Sequence, residues 1–327
     1  MRKLGWSLFR LVAGIVACAN WSVFDSLAQS YPVKPIRIVV GFVAGSGSDI
    51  LARMVAQRLP EHLGQPVVAE NRPGASGAIA TERVATSPAD GYTLLLMTAS
   101  STILPALRAK LPYDLERDLA PVSLLTIVPF VLVVHPSVPA RNVKELIALA
   151  RSQPGKLSYA SSGVGATVHL ASELFNSMAK VNIVHVPYKG GGEAVVALAV
   201  GQIDMYFGVA PSLLPLLGAG KLRALAVGSA KRASLMPSLP TIDESGLRGY
   251  NYSNWYGVLT PAGVPKDIIA RLNAAIGKVI NTPEMKESLG KQGLEPQTNT
   301  PEQFAALIHG EIVQNAKLVK LIGLKTE

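Results

Sequence analysis

The sequence of 327 residues is longer than one hydrophobic core usually serves, which predicts two domains. Hydrophobic residues make up 49% and charged residues 16% of the chain, and 29 Gly with 23 Pro predict a globular α/β protein with many short loops. The formal net charge of +9 favours small anionic partners, whereas scattered basic residues and only 6% aromatic residues argue against nucleic acid as a partner.

The N-terminus has the pattern of a cleavable export signal. A basic start precedes a short apolar run at 11–19, and Ala28 ends a stretch of small residues suited to cleavage. We therefore expect residues 1–28 to be a signal peptide and the mature protein to be periplasmic. A lipoprotein signal is the alternative, because residues 15–18 read Ile-Val-Ala-Cys. Cys18 is the only cysteine, so a mature chain without it forms no disulfide and has no thiol nucleophile.

The first strongly patterned segment covers residues 36–55. Its β-branched start predicts a buried parallel strand, and the apolar spacing after Asp49 predicts a helix. Gly45 and Gly47 in the connecting loop let the backbone approach a guest closely. Free N–H groups and the helix dipole favour an anion at such a helix start. The side chains that could cap this helix are those of Ser46, Ser48 and Asp49.

Strands and helices alternate through the following residues. Two apolar runs near the middle of the chain are separated by Pro129 and predict two strands, at 122–126 and 130–134. Other predicted elements are a strand at 66–70, a loop at 71–77, a helix at 78–86, a strand at 93–97, a small-residue loop at 98–101 and a helix at 138–152.

A second strand–loop–helix unit resembles the first. A strand at 157–160 leads into the glycine-containing loop 161–167 and then a helix at 169–178. A single unit of this kind predicts only a structural turn. A second unit of the same kind favours an anion-binding role for these loops over a purely structural one.

The rest of the chain continues the alternation, which predicts mostly parallel sheets with sites beyond the C-terminal strand ends. The loops near 45, 100, 162 and 190 all lie at such ends. The aromatic group at 250–256 is interpreted as packing near a hinge, with contact of Trp255 or Tyr256 to a ligand left open. Further strands are predicted at 183–186, 203–207, 224–227 and 257–259, and further helices at 193–200, 265–280, 283–291 and 301–322.

Several blocks of sequence resemble one family, from Tyr31 to the C-terminus. The blocks include YPVKPIRIVVGF, AENRPGASGAIATERVA, YASSGVGATVHLASELF, VPYKGGGEAVVALAVGQIDMYFG and WYGVLTPAGVPKDIIARLN. Together they are similar to the Bug receptors, the TctC-type substrate-binding proteins of tripartite tricarboxylate transporters. The resemblance implies an α/β, two-lobed periplasmic-binding-protein fold (Venus flytrap, type II) with mostly parallel sheets in each lobe.

The resemblance also implies a function and a division into domains. We expect a solute-binding protein that captures a small carboxylic acid in the cleft between its lobes for a tripartite tricarboxylate-type transporter. The alternative is a carboxylate sensor or scaffold that signals through a membrane partner. We expect a monomer with transient membrane contacts and no cofactor. After the signal peptide, lobe 1 would comprise 29–125 plus 253–327, and lobe 2 would comprise 126–252.

The resemblance further implies that two loops pinch one carboxylate through N–H groups, hydroxyls and waters. The family usually has Pro-Gly-Gly before the Asp of its first loop, whereas this chain has Gly-Ser-Gly-Ser before Asp49. The family often has an Asp where Gly208 stands, which argues against amino-acid ligands. The predicted ligand-binding residues are Ala44, Gly45, Ser46, Gly47, Ser48, Asp49, Ser100, Ser101, Ser161, Ser162, Gly163, Gly165, Ala166, Thr167, His169, Tyr188 and Lys189.

No enzyme activity and no metal site are predicted. The Gly163-Val164-Gly165 run matches only two glycines of a dinucleotide fingerprint, no G-x-S-x-G elbow occurs, and the histidines lack paired metal-ligand spacing. Three side chains keep two interpretations each. Asp49 could be a general base or a loop brace, His169 could contact ligand or brace its loop, and Lys189 could bind an anion or be solvated.

Overall fold

The computed structural model describes residues 31–324, so the predicted signal peptide and Cys18 lie outside the described residues. The strands are β1 (Ile36–Val40), β2 (Val67–Asn71), β3 (Thr93–Thr98), β4 (Leu119–Val134), β5 (Ser158–Ser161), β6 (Val184–Pro187), β7 (Met205–Val209), β8 (Arg223–Val227), β9 (Ser253–Pro261) and β10 (Glu295–Pro296).

Helices follow most of the strands, as the alternating pattern predicts. Short 3₁₀ turns at Ala75–Gly77 and Ala99–Thr102 follow β2 and β3. The α-helices are α1 (Gly47–Arg58), α2 (Pro60–Leu63), α3 (Ala78–Ala85), α4 (Leu104–Leu107), α5 (Val143–Ser152), α6 (Thr167–Ala179), α7 (Gly191–Ala199), α8 (Ala210–Gly218), α9 (Lys266–Ile280), α10 (Pro283–Gly290) and α11 (Pro301–Leu321).

The first lobe is built on a sheet with the strand order β2-β1-β3-β9-β4-β10. Strands β2, β1 and β3 are parallel, and β9 joins them antiparallel. Ile36, Ile38 and Val40 point into one apolar cluster, while Val39 points into another on the opposite face. The run of β-branched residues therefore forms a central strand with both faces buried.

The second lobe is built on a sheet with the order β6-β5-β7-β4-β8. Strand β5 is parallel to β6 and β7, whereas β4 is antiparallel to β7 and β8. Both sheets are thus mixed, which differs from the predicted mostly parallel sheets. The reason is that β4 and β9, which connect the lobes, run against the strands they join.

Strand β4 extends through both sheets. Pro129 and the residues before it pair with β9, and Phe130 and the residues after it pair with β7 and β8. The sequence predicts two strands separated by Pro129, but the structure has one strand of 16 residues. Proline lacks an N–H group for a ladder, and here it is accommodated where the strand changes sheets.

The C-terminal helix α11 contacts both lobes. Phe304 and Ile308 pack in a cluster of the first lobe, and Leu318 and Val319 pack in the cluster of the second lobe. A capping box of Thr300 and Gln303 starts the helix. The predicted lobe boundaries at 125/126 and 252/253 stay a prediction, and this helix is a third connection beside β4 and β9.

Other predicted elements differ from the structure at their ends. Helix α5 begins at Val143 rather than at residue 138, because the Asn142 side chain caps it by accepting the N–H of Glu145. Strand β9 covers Ser253–Pro261 rather than 257–259, since its pairing with β4 continues to Ser253. Helix α8 was not predicted, because its sequence carries internal Pro215.

Candidate ligand-binding cleft

A cavity of about 550 Å³ lies between the two lobes at the C-terminal ends of β1, β3 and β5. Such a volume is typical of small-molecule sites. Residues of both lobes line it: Phe42, Ser46, Gly47, Ser48, Ser76, Thr98, Ser100, Ile103, Leu104, Leu107, Ser162, Gly163, Val164, Gly165, Ala166, Thr167, Asn254 and Tyr256.

The cavity lining contains no Lys, Arg, His, Asp or Glu among the described residues. Its polar groups are hydroxyls, one amide side chain and backbone N–H groups. A ligand charge in this cavity would therefore be stabilised by neutral dipoles and by helix N-termini instead of an ion pair.

The first lobe contributes the start of helix α1. The Ser46 side chain caps the helix by accepting the N–H of Asp49, and its hydroxyl also contacts that of Ser48 at 3.1 Å. The N–H of Ser46 itself donates to the carbonyl of Val43. The N–H groups of Gly47 and Ser48 donate to no group among residues 31–324. Both residues line the cavity, so two backbone donors remain for a ligand.

Asp49 is buried behind this helix start and does not line the cavity. Its carboxylate accepts hydrogen bonds from Arg53, from the Gly45 N–H at 2.8 Å and from the Asn71 amide at 2.8 Å. The Arg53 hydrogen bond, followed by those of Gly45 and Asn71, outweighs burial and lowers the pKa of Asp49 to about 2. The structure thus assigns Asp49 to bracing the loop rather than to ligand or base chemistry.

The second lobe contributes loop 161–167 and the start of helix α6. Three N–H groups that the sequence suggested as ligand donors have partners inside this loop. The N–H of Gly163 donates to the Ser161 hydroxyl, that of Gly165 to Nδ1 of His169, and that of Ala166 to the carbonyl of Gly163. The backbone donors without a partner in the described chain are instead those of Ser162, Val164 and Thr167.

His169 braces loop 161–167 from below. Its ring stacks on that of His185 with 3.9 Å between centroids, and the His185 ring contacts the Ser161 hydroxyl at 2.7 Å. Burial, and secondarily the charge of His185, lower the pKa of His169 to about 4. The ring is therefore neutral at pH 7, which leaves Nδ1 free to accept the Gly165 N–H.

Several predicted residues lie outside the cavity lining. The N–H of Tyr188 extends the β5–β6 pairing by donating to the Ser161 carbonyl, and the exposed Lys189 has its N–H bonded to Glu193. This loop is thereby held beside the strand ends. The predicted residues absent from the lining are Ala44, Gly45, Asp49, Ser101, Ser161, His169, Tyr188 and Lys189.

Sequence reasoning missed other residues of the lining. Ser76 follows strand β2 and Thr98 is the last residue of strand β3, so their position at strand ends was the available signal. Asn254 lines the cavity with a buried Oδ1 that has no hydrogen-bond partner in the described chain. Tyr256, left open as a ligand contact, does line the cavity. The remaining unpredicted lining residues are Phe42, Ile103, Leu104, Leu107 and Val164.

Gly208 stands where the family often has an Asp, and this difference argued against amino-acid ligands. The residue does not line the cavity. It lies buried on β7, where an added Cβ would be 2.8 Å from the Tyr206 ring. The glycine at this position is thus explained by packing. Among residues 31–324, no helix is both long and apolar enough to cross a bilayer, and no three His, Cys, Asp or Glu side chains are grouped as metal ligands.

The sequence of this chain is similar to those of known receptor proteins. Residues 51–324 match the family described as tripartite tricarboxylate transporter family receptor (TctC). Protein BugT of Bordetella pertussis is 37% identical over 320 residues, which span 97% of this chain and 96% of that protein.

Two similar solved structures carry ligands. The structure of R. palustris Rpa4515 with adipate has 37% sequence identity and a TM-score of 0.73, covering 91% of this chain and 100% of that one. MatC from Rhodopseudomonas palustris with bound malate has 31% identity and a TM-score of 0.69, covering 88% of this chain and 100% of that one. Both likenesses agree with a two-lobed α/β binding fold.

Proposed function

Because the chain belongs to the TctC family of tripartite tricarboxylate transporter receptors, we propose that it captures a small carboxylic acid in the interlobe cavity and delivers it to a membrane transporter. The family consists of substrate-binding receptors, so the chain is a binding protein and not an enzyme. The proposal extends to export, with the mature protein working in the periplasm as the signal-like N-terminus suggests.

The observation that carries the carboxylate assignment is the pair of helix starts that share one cavity. Helix α1 supplies Gly47 and Ser48 from the first lobe, and helix α6 supplies Thr167 from the second. Each start has the positive end of a helix dipole and N–H groups that have no partner within the part of the chain that the structure describes. A carboxylate has two oxygens, so each oxygen can accept from one lobe.

Hydroxyl groups add to these backbone donors. The hydroxyls of Ser162, Thr167 and Ser76 line the cavity without a hydrogen-bond partner in the described chain. Hydrogen bonds to a charged acceptor are worth about 1.5–3 kcal/mol each. A few such bonds therefore support binding without any cationic side chain. The neighbours bound to adipate and malate support the same class of ligand for this chain.

The test is a ligand screen on purified mature protein. Native mass spectrometry would first identify any acid that copurifies, and a thermal-shift screen of carboxylic acids would follow. We expect carboxylates to raise the melting temperature, since a ligand that binds only the native state stabilises it. Matched carboxamides, which have no negative charge, should not. Equal stabilisation by acids and amides would contradict the proposal.

A further inference from the structure

We propose that the ligand of this cavity is a carboxylate with an apolar body, such as an alkyl or aryl chain, rather than a polyhydroxy acid. This inference rests on the proposed function, because it assumes that the helix starts hold a carboxylate. It concerns the rest of the ligand, which must lie against the remainder of the cavity lining.

The remainder of the lining contains an apolar wall, defined here as Phe42, Ile103, Leu104, Leu107 and Val164. Three of these residues come from the segment that follows β3 and forms helix α4. Of the other two, Phe42 precedes the first-lobe loop and Val164 lies within loop 161–167 of the second lobe. A ligand held by the loops would thus meet hydrocarbon from both lobes.

Three side chains of the wall, those of Ile103, Leu104 and Leu107, are held by packing. Ile103 is only 2% exposed and belongs to the apolar cluster of the second lobe, and Leu104 is 5% exposed in a cluster of the first. A Cβ added to Gly165 would lie 2.9 Å from Cδ1 of Leu107, so this side chain touches loop 161–167 of the opposite lobe. These three side chains therefore cannot withdraw to admit a hydrated ligand body without losing packing contacts.

Val164 gives a second reason to expect an apolar ligand body. This side chain is 62% exposed although it belongs to the cavity lining. Its apolar surface would be removed from water by an alkyl or aryl group lying next to it. A ligand hydroxyl lying against the wall side chains would lose its water partners and would find no polar side-chain group among them.

The test compares pairs of acids that share carbon number and carboxyl groups but differ in hydroxyls on the body. Hexanoate is paired with gluconate, and adipate with galactarate, and their dissociation constants are measured by calorimetry. We expect the member without hydroxyls to bind at least about tenfold more tightly in each pair. Equal or tighter binding of gluconate and galactarate would overturn the inference.

Two wall variants test whether this preference depends on the wall. Leu107→Asn and Val164→Asn should reduce the hexanoate-to-gluconate preference about tenfold. Their matched controls lie outside the cavity: Leu214→Asn at an exposed leucine of α8, and Val196→Asn at a valine that is 63% exposed. Val164 is itself an exposed side chain, so its variant should fold even where the substitution of Leu107 does not. An unchanged preference in Val164→Asn and in any folded Leu107→Asn would overturn the inference.

One further ligand separates failure of this inference from failure of the proposed function. Hexanamide has the apolar body of hexanoate without its charge. If hexanamide binds as well as hexanoate, the carboxylate assignment fails. If acids bind better than amides but gluconate equals hexanoate, only the apolar-body inference fails.

Discussion

Gly165 donates its backbone N–H to Nδ1 of His169 across 3.0 Å, and this hydrogen bond ties the tip of loop 161–167 to the helix that follows it. The bond requires a His169 ring without a proton on Nδ1. The same loop contributes Ser162 and Thr167 to the cavity. The geometry of the second-lobe donors therefore depends on a side chain that does not touch the cavity.

Replacing His169 with Leu should weaken carboxylate binding about tenfold while the protein stays folded. The variant removes the acceptor of the Gly165 N–H, and losing one such hydrogen bond is worth roughly 1 kcal/mol or somewhat more. Calorimetry with the identified ligand measures the effect. His169→Gln, which keeps an acceptor on a side chain of similar reach, should retain more affinity than His169→Leu. Wild-type affinity in His169→Leu would contradict the bracing role.

Removing the hydroxyl of Ser162 should weaken ligand binding by about 10- to 150-fold, because a hydrogen bond to a charged group is lost. Lys189 is exposed and outside the cavity lining, so Lys189→Ala should bind like wild type. Dissociation constants of the two variants are compared under the same salt conditions. The reverse pattern, with binding lost only in Lys189→Ala, would favour an ion pair over the neutral clamp.

Gly165→Val should impair binding more than Ser162→Ala. Gly165 has a φ of +77°, which strains the backbone of a β-branched residue, and an added Cβ would lie 2.9 Å from Cδ1 of Leu107, so the loop or the Leu107 side chain must shift. Gly220→Val is the matched control, since Gly220 has a φ of +68° but no atom within 4 Å of an added Cβ. Both variants should lose stability in urea unfolding, but only Gly165→Val should lose affinity. Equal affinities in the two variants would show that the conformation of Gly165 and its contact with Leu107 do not matter for binding.

Glu311 should make the stability of the protein fall as pH rises toward 7. Its carboxylate accepts hydrogen bonds from the buried Trp255 at 2.7 Å and the buried Thr102 at 3.1 Å, where α11 meets β9. Burial outweighs both bonds and raises the pKa of Glu311 to about 7 from the ordinary 4.5. Between these values the folded state binds more protons than the unfolded state, so its stability decreases with rising pH.

The Glu311→Gln variant isolates this contribution, because Gln cannot ionise and stays close to the shape of the protonated acid. Urea unfolding of both proteins at pH 5, 6, 7 and 8 measures the difference. We expect wild type to lose up to about 1.4 kcal/mol per pH unit relative to the variant, mainly between pH 5 and 7. Parallel stability curves for the two proteins would show that Glu311 is not perturbed.

Much of the architecture was predictable because it depends on local pattern. The alternation of strands and helices, the two strand–loop–helix units and the family resemblance led to the two-lobed α/β receptor, and these predictions are confirmed. Ser46, Gly47, Ser162 and Thr167 line one cavity because all follow the C-terminal ends of strands, and their contact with a ligand stays a prediction.

The structural features that could not be predicted from the sequence depend on contacts between segments that are distant in the chain. Pro129 suggested a break in a strand, but pairing with β9 on one side and β7 on the other continues β4 through it. The sequence suggested that the N–H groups of Gly163 and Gly165 are free to bind a ligand, but their hydrogen bonds are accepted by Ser161 and His169. The apolar wall could not be predicted from sequence, because Leu107 contacts loop 161–167 only in the folded arrangement of the two lobes.

The most direct test of a carboxylate site shared by the two lobes is a crystal structure of the protein with a bound carboxylic acid. We expect one carboxylate oxygen within hydrogen-bond distance of the Gly47 or Ser48 N–H in the first lobe. We expect the other oxygen within hydrogen-bond distance of Ser162, Val164 or Thr167 in the second lobe. A carboxylate held by Lys189, or by donors of only one lobe, would contradict this expectation.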